Sequence, residues 1–193
     1  MQKHIVYRVV YHAGAWMAAL LISILSPPSA VRAQQLDQIL RGYEIAADQG
    51  ISLNLKGKDW FLVGLGSYLV NTTGCNDCHT HPNWANGGNP YLGQPEQINT
   101  VEYLAGGRQF TTPAGMFTSA NITPDKNDLP AGLTLPGFLE VMHHGHDPRD
   151  QRGDLLQVMS WPLYRWKTHS DLIAIYTYLQ AIPSLPDNPN PGP

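Results

Sequence analysis

An all-α domain with few core helices and long irregular connections is what this sequence predicts, and three observations predict it. Four stretches carry apolar residues at helical spacing or lie between capping residues and stop signals. The segment 80–133 between them is rich in Gly, Pro, Asn and Thr and reads mainly as loop. The pentapeptide Cys75-Asn76-Asp77-Cys78-His79 then supplies a reason for so much irregular chain. C-x-x-C-H is the attachment signature of c-type haem. Two thiols three positions apart can each add to one vinyl group of the porphyrin. The imidazole that follows is a standard haem ligand. Irregular segments can wrap a flat cofactor, which accounts for a polar loop longer than compact domains usually hold.

The first 33 residues read as a secretory signal. Lys3 and Arg8 form a basic start, Gly14 to Ile24 is an apolar run, and Pro27 and Pro28 break any helix. Val31-Arg32-Ala33 ends in a small residue suited to cleavage. The run is short for a membrane span, which needs about 20 apolar residues; an uncleaved anchor is the alternative. Either reading puts the cysteines outside the cytoplasm, in the bacterial periplasm, where c-type haem is attached. Nine of the 12 Lys and Arg and all 15 acidic residues follow Ala33, so the remaining 160 residues carry a net charge of −6. An acidic chain without a basic stripe excludes nucleic acid as a partner.

Gln35 to Asp48 is the first helix, with apolar Leu36, Ile39, Leu40 and Tyr43 on its face and Gly50 as its stop. Residues 34–58 form a helical extension ahead of the haem domain, which spans 59–183. Lys56-Gly57-Lys58 is a turn. Asp59 caps a second helix from Trp60 to about Asn71. Thr134 caps a third, Leu135 to His144, with Pro136 in its first turn and Gly145 just past its end. Residues 146–166 are loop. Ser170 caps the last helix, Asp171 to Ala181. The Pro-rich tail, 184–193, lacks apolar anchors and reads as extended or disordered. No internal repeat is visible, so one covalent haem c per chain is expected.

A thioredoxin-like pair would need a βαβ context, and structural zinc usually takes four Cys/His ligands. Neither surrounds this motif. With His79 as one axial ligand, the sulfur candidates for the other are Met116, Met142 and Met159. Met142 sits inside the third helix and suits core packing. Met159 lies in a loop between the last two helices and is preferred; Met116 and the imidazoles of His143, His144 and His146 are the alternatives. The three histidines equally suit an exposed helix C-terminus. A ligating His usually donates its second ring N–H to a carbonyl, and Pro124 is the candidate source. Tyr164, Arg165 and Trp166 could bond the propionates, Arg165 first by charge. Tyr68, Tyr176 and Tyr178 are expected to pack the second helix against the last.

Gly66-Ser67-Tyr68-Leu69-Val70, then Gly74 with the Cys75–Thr80 motif, resembles the start of a class I c-type cytochrome domain. Ala105-Gly106-Gly107-Arg108 through Thr112-Pro113, Asn121-Ile122-Thr123-Pro124-Asp125, and Phe138 with His144-Gly145 resemble one branch of it. That branch is the haem domain of the cytochrome c subunits of bacterial membrane-bound alcohol, gluconate and sorbitol dehydrogenases. The likeness covers roughly residues 64–183. It implies a distal Met at Met159, where Val158-Met159-Ser160-Trp161 stands in place of Ala-Met-Pro-Tyr. Lys126–Leu133 replaces the family's Gly-rich turn and Trp. The alcohol and gluconate subunits carry three haem domains and a C-terminal anchor, whereas this sequence reads as one domain with an extra helical prefix and no anchor. The resemblance implies electron transfer from a periplasmic dehydrogenase, as its subunit or partner, to a respiratory-chain acceptor. A haem enzyme acting on peroxide or sulfur compounds, or a haem sensor, is the alternative and needs a labile distal ligand.

Overall fold

Side-chain oxygens start the helices where the sequence offers them. Residues 29–193 are described by a computed structural model, and the segment 1–28, which holds most of the predicted signal, lies outside them. The first helix, α1, runs Ser29–Asp48, continuing through the expected cleavage point at Ala33. Gly50 beyond it takes φ +69°. The Asp59 carboxylate accepts from the Phe61 and Leu62 amides and opens α2, Trp60–Thr72. A single turn, α3, covers Cys75–His79. Then come a hairpin of β1, Gln109–Thr112, and β2, Gly115–Thr118, α4 at Leu135–His144, a short α5 at Trp161–Tyr164 and α6 at His169–Ala181. Among the described residues, no helix is long and apolar enough to cross a membrane.

Residues Gln38–Pro193 make one compact unit, and its helices meet at small residues. A Cβ on Gly42 of α1 would collide with the Gly64 carbonyl of α2, and one on Gly64 would lie 2.7 Å from the Ile39 carbonyl. Ser67 Oγ donates to the Gly42 carbonyl at 2.7 Å. Tyr43 Oη donates to the Trp60 carbonyl at 2.8 Å. The Gly42–Tyr43 part of α1 is thus bonded directly onto α2. On another side of α2, a Cβ on Gly66 would collide with the Ala174 carbonyl of α6 and lie 2.6 Å from Tyr178 Cβ. Val63, Val70, Leu172, Ile175, Leu179 and Phe138 fill the buried space that results.

Tyr178 is wholly buried and its hydroxyl sits 2.9 Å from that of Tyr103, which donates to Asn71 Oδ1. This chain of polar groups satisfies two buried phenols and ties α6 to α2, as expected of Tyr178. Tyr176 does something else. Its hydroxyl donates to the Leu133 carbonyl and its ring meets Phe138 at 5.4 Å, so it joins α6 to α4.

Four expectations are corrected. The cap of α6 is Thr168, not Ser170. Its hydroxyl accepts from the Asp171 amide while the Asp171 carboxylate accepts from the Thr168 amide. This reciprocal pair satisfies two free donors, which a cap at Ser170 would not. The segment 80–133 holds the hairpin, with Phe110 opposite Phe117 and Thr111 opposite Met116. The stretch 146–166 holds α5. The tail is fixed: Leu185 exchanges bonds with Asn121 and Thr123, and the Asn188 amide donates to the Ala105 carbonyl. Asn188 Nδ2 donates to the carbonyls of His81 and Gly106, and Gly192 pairs with Gly107 and Gln109. Backbone pairing and one buried Asn supply the anchorage that apolar residues do not.

Gly66→Ala should lower stability by about 2–3 kcal/mol, because the methyl forces α2 and α6 apart. Denaturant unfolding checks this. A midpoint equal to wild type would show that the two helices separate freely.

Candidate cofactor site

Gly74 turns the chain from α2 into α3. Its φ of +82° is open to glycine at little cost. The one helical turn that follows places Cys75 and Cys78 three residues apart on one side. Both are free thiols and half-buried. Burial raises the Cys75 thiol to about 11 and shifts Cys78 in the same direction. The carbonyl end of this turn is closed by two residues that sequence reading did not single out. Arg108 Nη1 donates to the Asp77 carbonyl and to Asn83 Oδ1, both at 2.7 Å, and Asn83 Nδ2 donates to the Asp77 carbonyl at 3.0 Å. A cation suits helix-terminal carbonyls, but nothing in the spacing announces that Arg108, 31 residues away, reaches them.

His79 is oriented by the Ala120 carbonyl, 2.7 Å from Nδ1. A carbonyl only accepts, so Nδ1 carries the proton and Nε2 keeps its lone pair. Burial lowers the proton affinity of this ring, partly offset by the same hydrogen bond. The partner is therefore Ala120 and not Pro124. Pro124 sits in the next turn, paired with Pro130 in an isolated bridge. There Asp125 Oδ1 accepts the Asn127 and Leu129 amides, which hold its carboxyl below the usual range. Ala120 reaches His79 because two strands cross beside it. The Gly106 amide donates to the His79 carbonyl, and the Gly107 amide to that of Ser119. Buried Leu104 takes φ +60° to make the crossing, a conformation costing a non-glycine residue roughly 1 kcal/mol.

Cys75, Cys78, His79 and Met159 all line one cavity of about 210 Å³, walled by Phe138, Val141, Ile175, Leu179 and the hairpin's Phe110 and Phe117. Met142 lines it as well and is buried in the core. Met116 is on β2, 64% exposed and away from the cavity. His143, His144 and His146 do not line it. Arg165 is also absent from the wall; its guanidinium lies 5.6 Å from the Trp166 ring centre. The arginine at the wall is Arg149, whose Nε and Nη2 bond the Asp147 carboxylate at 2.9 and 2.6 Å and whose Nη1 donates to the Ala131 carbonyl. The guanidinium holds the Asp147 carboxyl below its ordinary value. Tyr164 lines the cavity too, donating to the Thr73 carbonyl at 3.0 Å.

The Met159 loop is short and anchored at both ends. The Leu156 amide donates to the Gly145 carbonyl at 2.9 Å, and the Trp161 indole donates to the Leu156 carbonyl at 3.1 Å. The chemistry of this wall fits haem c. It has two thiols at vinyl spacing, an imidazole with Nε2 free, thioether sulfurs and apolar faces, with the Arg149–Asp147 ion pair at its edge. It does not fit zinc, since no group of three His, Cys, Asp or Glu gathers among the described residues.

Comparison with known proteins agrees. No family model matches the chain. It is similar to the fructose dehydrogenase cytochrome subunit of Gluconobacter japonicus, 29% identical over 129 residues, 67% of this chain and 23% of that one. It is 31% identical over 118 residues to the gluconate 2-dehydrogenase cytochrome c subunit of Pantoea cypripedii, 61% and 22% of the two chains. The cytochrome c subunit of the quinone alcohol dehydrogenase of Gluconobacter oxydans (strain 621H) matches at 25% over 153 residues, 76% and 28%. The resemblance to cytochrome c subunits of such dehydrogenases is thereby shown. The chain spans only 22–28% of the length of these relatives.

Burial pushes the Tyr164 phenol up to about 12, and raises Tyr103 and Tyr178 as well. In the unfolded chain these tyrosines ionise near pH 10. The folded state alone keeps its protons above that, so stability is intact below pH 10 and falls between pH 10 and 12. Absorbance of tyrosinate followed alongside the unfolding midpoint checks this. A flat midpoint over that window would contradict it.

Proposed function

We propose that the protein is a periplasmic monohaem c-type cytochrome that passes single electrons from a periplasmic dehydrogenase, as its cytochrome subunit or partner, towards the respiratory chain. The observation that carries this is the convergence of both C-x-x-C-H thiols, an oriented His79 and Met159 on one apolar cavity. Haem c, when bound, supplies a one-electron iron couple. Cys75 and Cys78 would attach it through thioethers, on a turn that Arg108 and Asn83 hold closed. His79 would ligate through Nε2 while the Ala120 carbonyl fixes its ring plane. Met159 would supply a thioether sulfur as second ligand, from a loop with little freedom. Met142 also lies at the wall, but α4 carries it, and its buried contacts suit packing.

Helices α2, α4 and α6 would form the core around the cofactor, with loops and hairpin covering its faces. Phe138, Val141, Ile175 and Leu179 keep water from the cavity. Arg149, already held by Asp147, and Tyr164, bonded to the Thr73 carbonyl, are among the polar groups at its wall, and a bound carboxylate would have to share their donors. If His79 and Met159 both held the iron, the chain would leave no position for substrate, which favours a carrier over an enzyme or sensor. The dehydrogenase partner is inferred from the relatives, which are cytochrome subunits of dehydrogenases. Periplasmic export is inferred from residues 1–33.

The reduced and oxidised holoprotein should show a haem c spectrum, with the weak far-red band of ferric iron bound to sulfur. Met159→Ala should keep the haem attached, lose that band, lower the reduction potential and let carbon monoxide bind. Met142→Leu should change none of these. A Met159→Ala protein with wild-type spectrum and potential would remove Met159 from the site. Cys75→Ser with Cys78→Ser should abolish covalent attachment, read as pyridine haemochrome that extracts into acid acetone.

A further inference from the structure

The outward side of α5 carries an apolar and cationic patch that neither the fold nor the cofactor site uses. Leu163 is 72% exposed and Trp166 80% exposed. Pro162 and Arg165 beside them are exposed too. One exposed Leu is ordinary, but an exposed Leu and Trp within four residues, next to Arg, have the composition of an interface centre. The segment is held in shape, since the Arg165 amide donates to the Trp161 carbonyl and the Trp166 amide to that of Leu163.

Its charge is also distinctive. Arg165 lies over the Trp166 ring at 5.6 Å and Lys167 over the Tyr164 ring at 5.8 Å. Neither cation is in any of the ion pairs found among the described residues. Residues 155–170 contain no acid, and Asp171, which follows, has its carboxylate on the Thr168 amide. The chain as a whole is acidic, at −3, so this segment is a positive island in a negative sequence. The island adjoins the cavity. Ser160 and Tyr164 line the wall, and Tyr164 bonds Thr73, two residues before Cys75. Burial chiefly raises the Tyr164 phenol, and exposed Asp77 on α3 adds to the rise.

We propose that the exposed face of Pro162–Lys167 is the docking surface for an acidic electron-transfer protein, whose apolar centre covers Leu163 and Trp166 and whose carboxylates meet Arg165 and Lys167. The proposal rests on the electron-carrier reading above. A protein suits the patch better than an anionic membrane. Two cations contribute only about 1 kcal/mol each at a lipid surface, whereas a redox encounter needs a small interface close to the cofactor. Charge here sets the encounter rate, and the aromatic centre sets residence time.

The test is stopped-flow oxidation of the reduced holoprotein by an acidic blue-copper protein at low and high salt. One electron leaves the reduced protein and takes copper(II) to copper(I); no atom is transferred. Arg165→Glu should cut the bimolecular rate constant about tenfold at low salt and flatten its salt dependence. Trp166→Ala should lower the rate several-fold with the salt dependence kept. Lys56→Glu, a distant exposed site, should match wild type, and all variants should keep the wild-type potential and spectrum. Wild-type rates in both patch variants would overturn the proposal. So would a faster wild-type reaction with a basic copper protein, or Trp166-dependent sedimentation with phosphatidylglycerol vesicles. A holoprotein with no reversible one-electron couple would overturn the carrier reading and the docking surface with it. An intact couple with insensitive variants would overturn the docking surface alone.

Discussion

The hydrogen bond from His79 Nδ1 to the Ala120 carbonyl is the contact on which the site depends. An imidazole has two nitrogens in one rigid plane, so fixing one aims the other. The bond is only as firm as the carbonyl, and several pieces of chain hold it. The segment 104–107 lies between residue 79 on one side and residues 119–122 on the other, bonded to both. The tail then bonds both neighbours, through Asn188 on the carbonyls of His81 and Gly106 and through Leu185 on Asn121 and Thr123. A ring plane beside α3 is thus set partly by residues more than a hundred positions later.

The helical wall of the cavity is set by helix contacts. Gly66 lets α2 approach α6 until backbone meets side chain, and the phenol pair of Tyr103 and Tyr178 fixes where along the helices they meet. Tyr176 brings α4 to the same helix through the Leu133 carbonyl. These contacts place Val70, Phe138, Ile175 and Leu179 around the cavity without filling it. Apolar walls of this kind gain dispersion contacts when a flat apolar group lies against them. Attachment and folding are therefore linked, because whatever binds the folded form favours it.

What the sequence announced was local. A cap, a C-x-x-C-H turn and a glycine stop are each written within a few residues, so Asp59, Thr134, Gly145 and the three residues of the motif were legible. The errors arise where the answer depends on two distant segments meeting. Pro124 and Ala120 are four residues apart in one loop, and only the strand crossing at Gly106 and Gly107 decides which carbonyl faces His79. Arg165 and Arg149 are equally charged, and only the fold puts Arg149 at the wall. The hairpin escaped because its strands are four residues each and its turn, Pro113-Ala114, lacks the Asn-Gly signal. The tail escaped because composition describes apolar anchorage and is silent on backbone pairing. Ser170 lost to Thr168 because the reciprocal bond needs an acid at the third helical position, and Asp171 stands three beyond Thr168.

The loop that carries Met159 is held from both ends. Gly145 closes α4 at φ +73°, and its missing side chain leaves the surface on which the Trp161 ring lies; a Cβ there would collide with the indole. That ring then bonds Leu156, whose amide returns to Gly145. Between Leu156 and Trp161 only four residues remain, and Met159 is one of them. A loop pinned twice to one glycine has little room to swing its sulfur away from the cavity. Trp161 therefore restrains this loop through a ring anchored on a helix end.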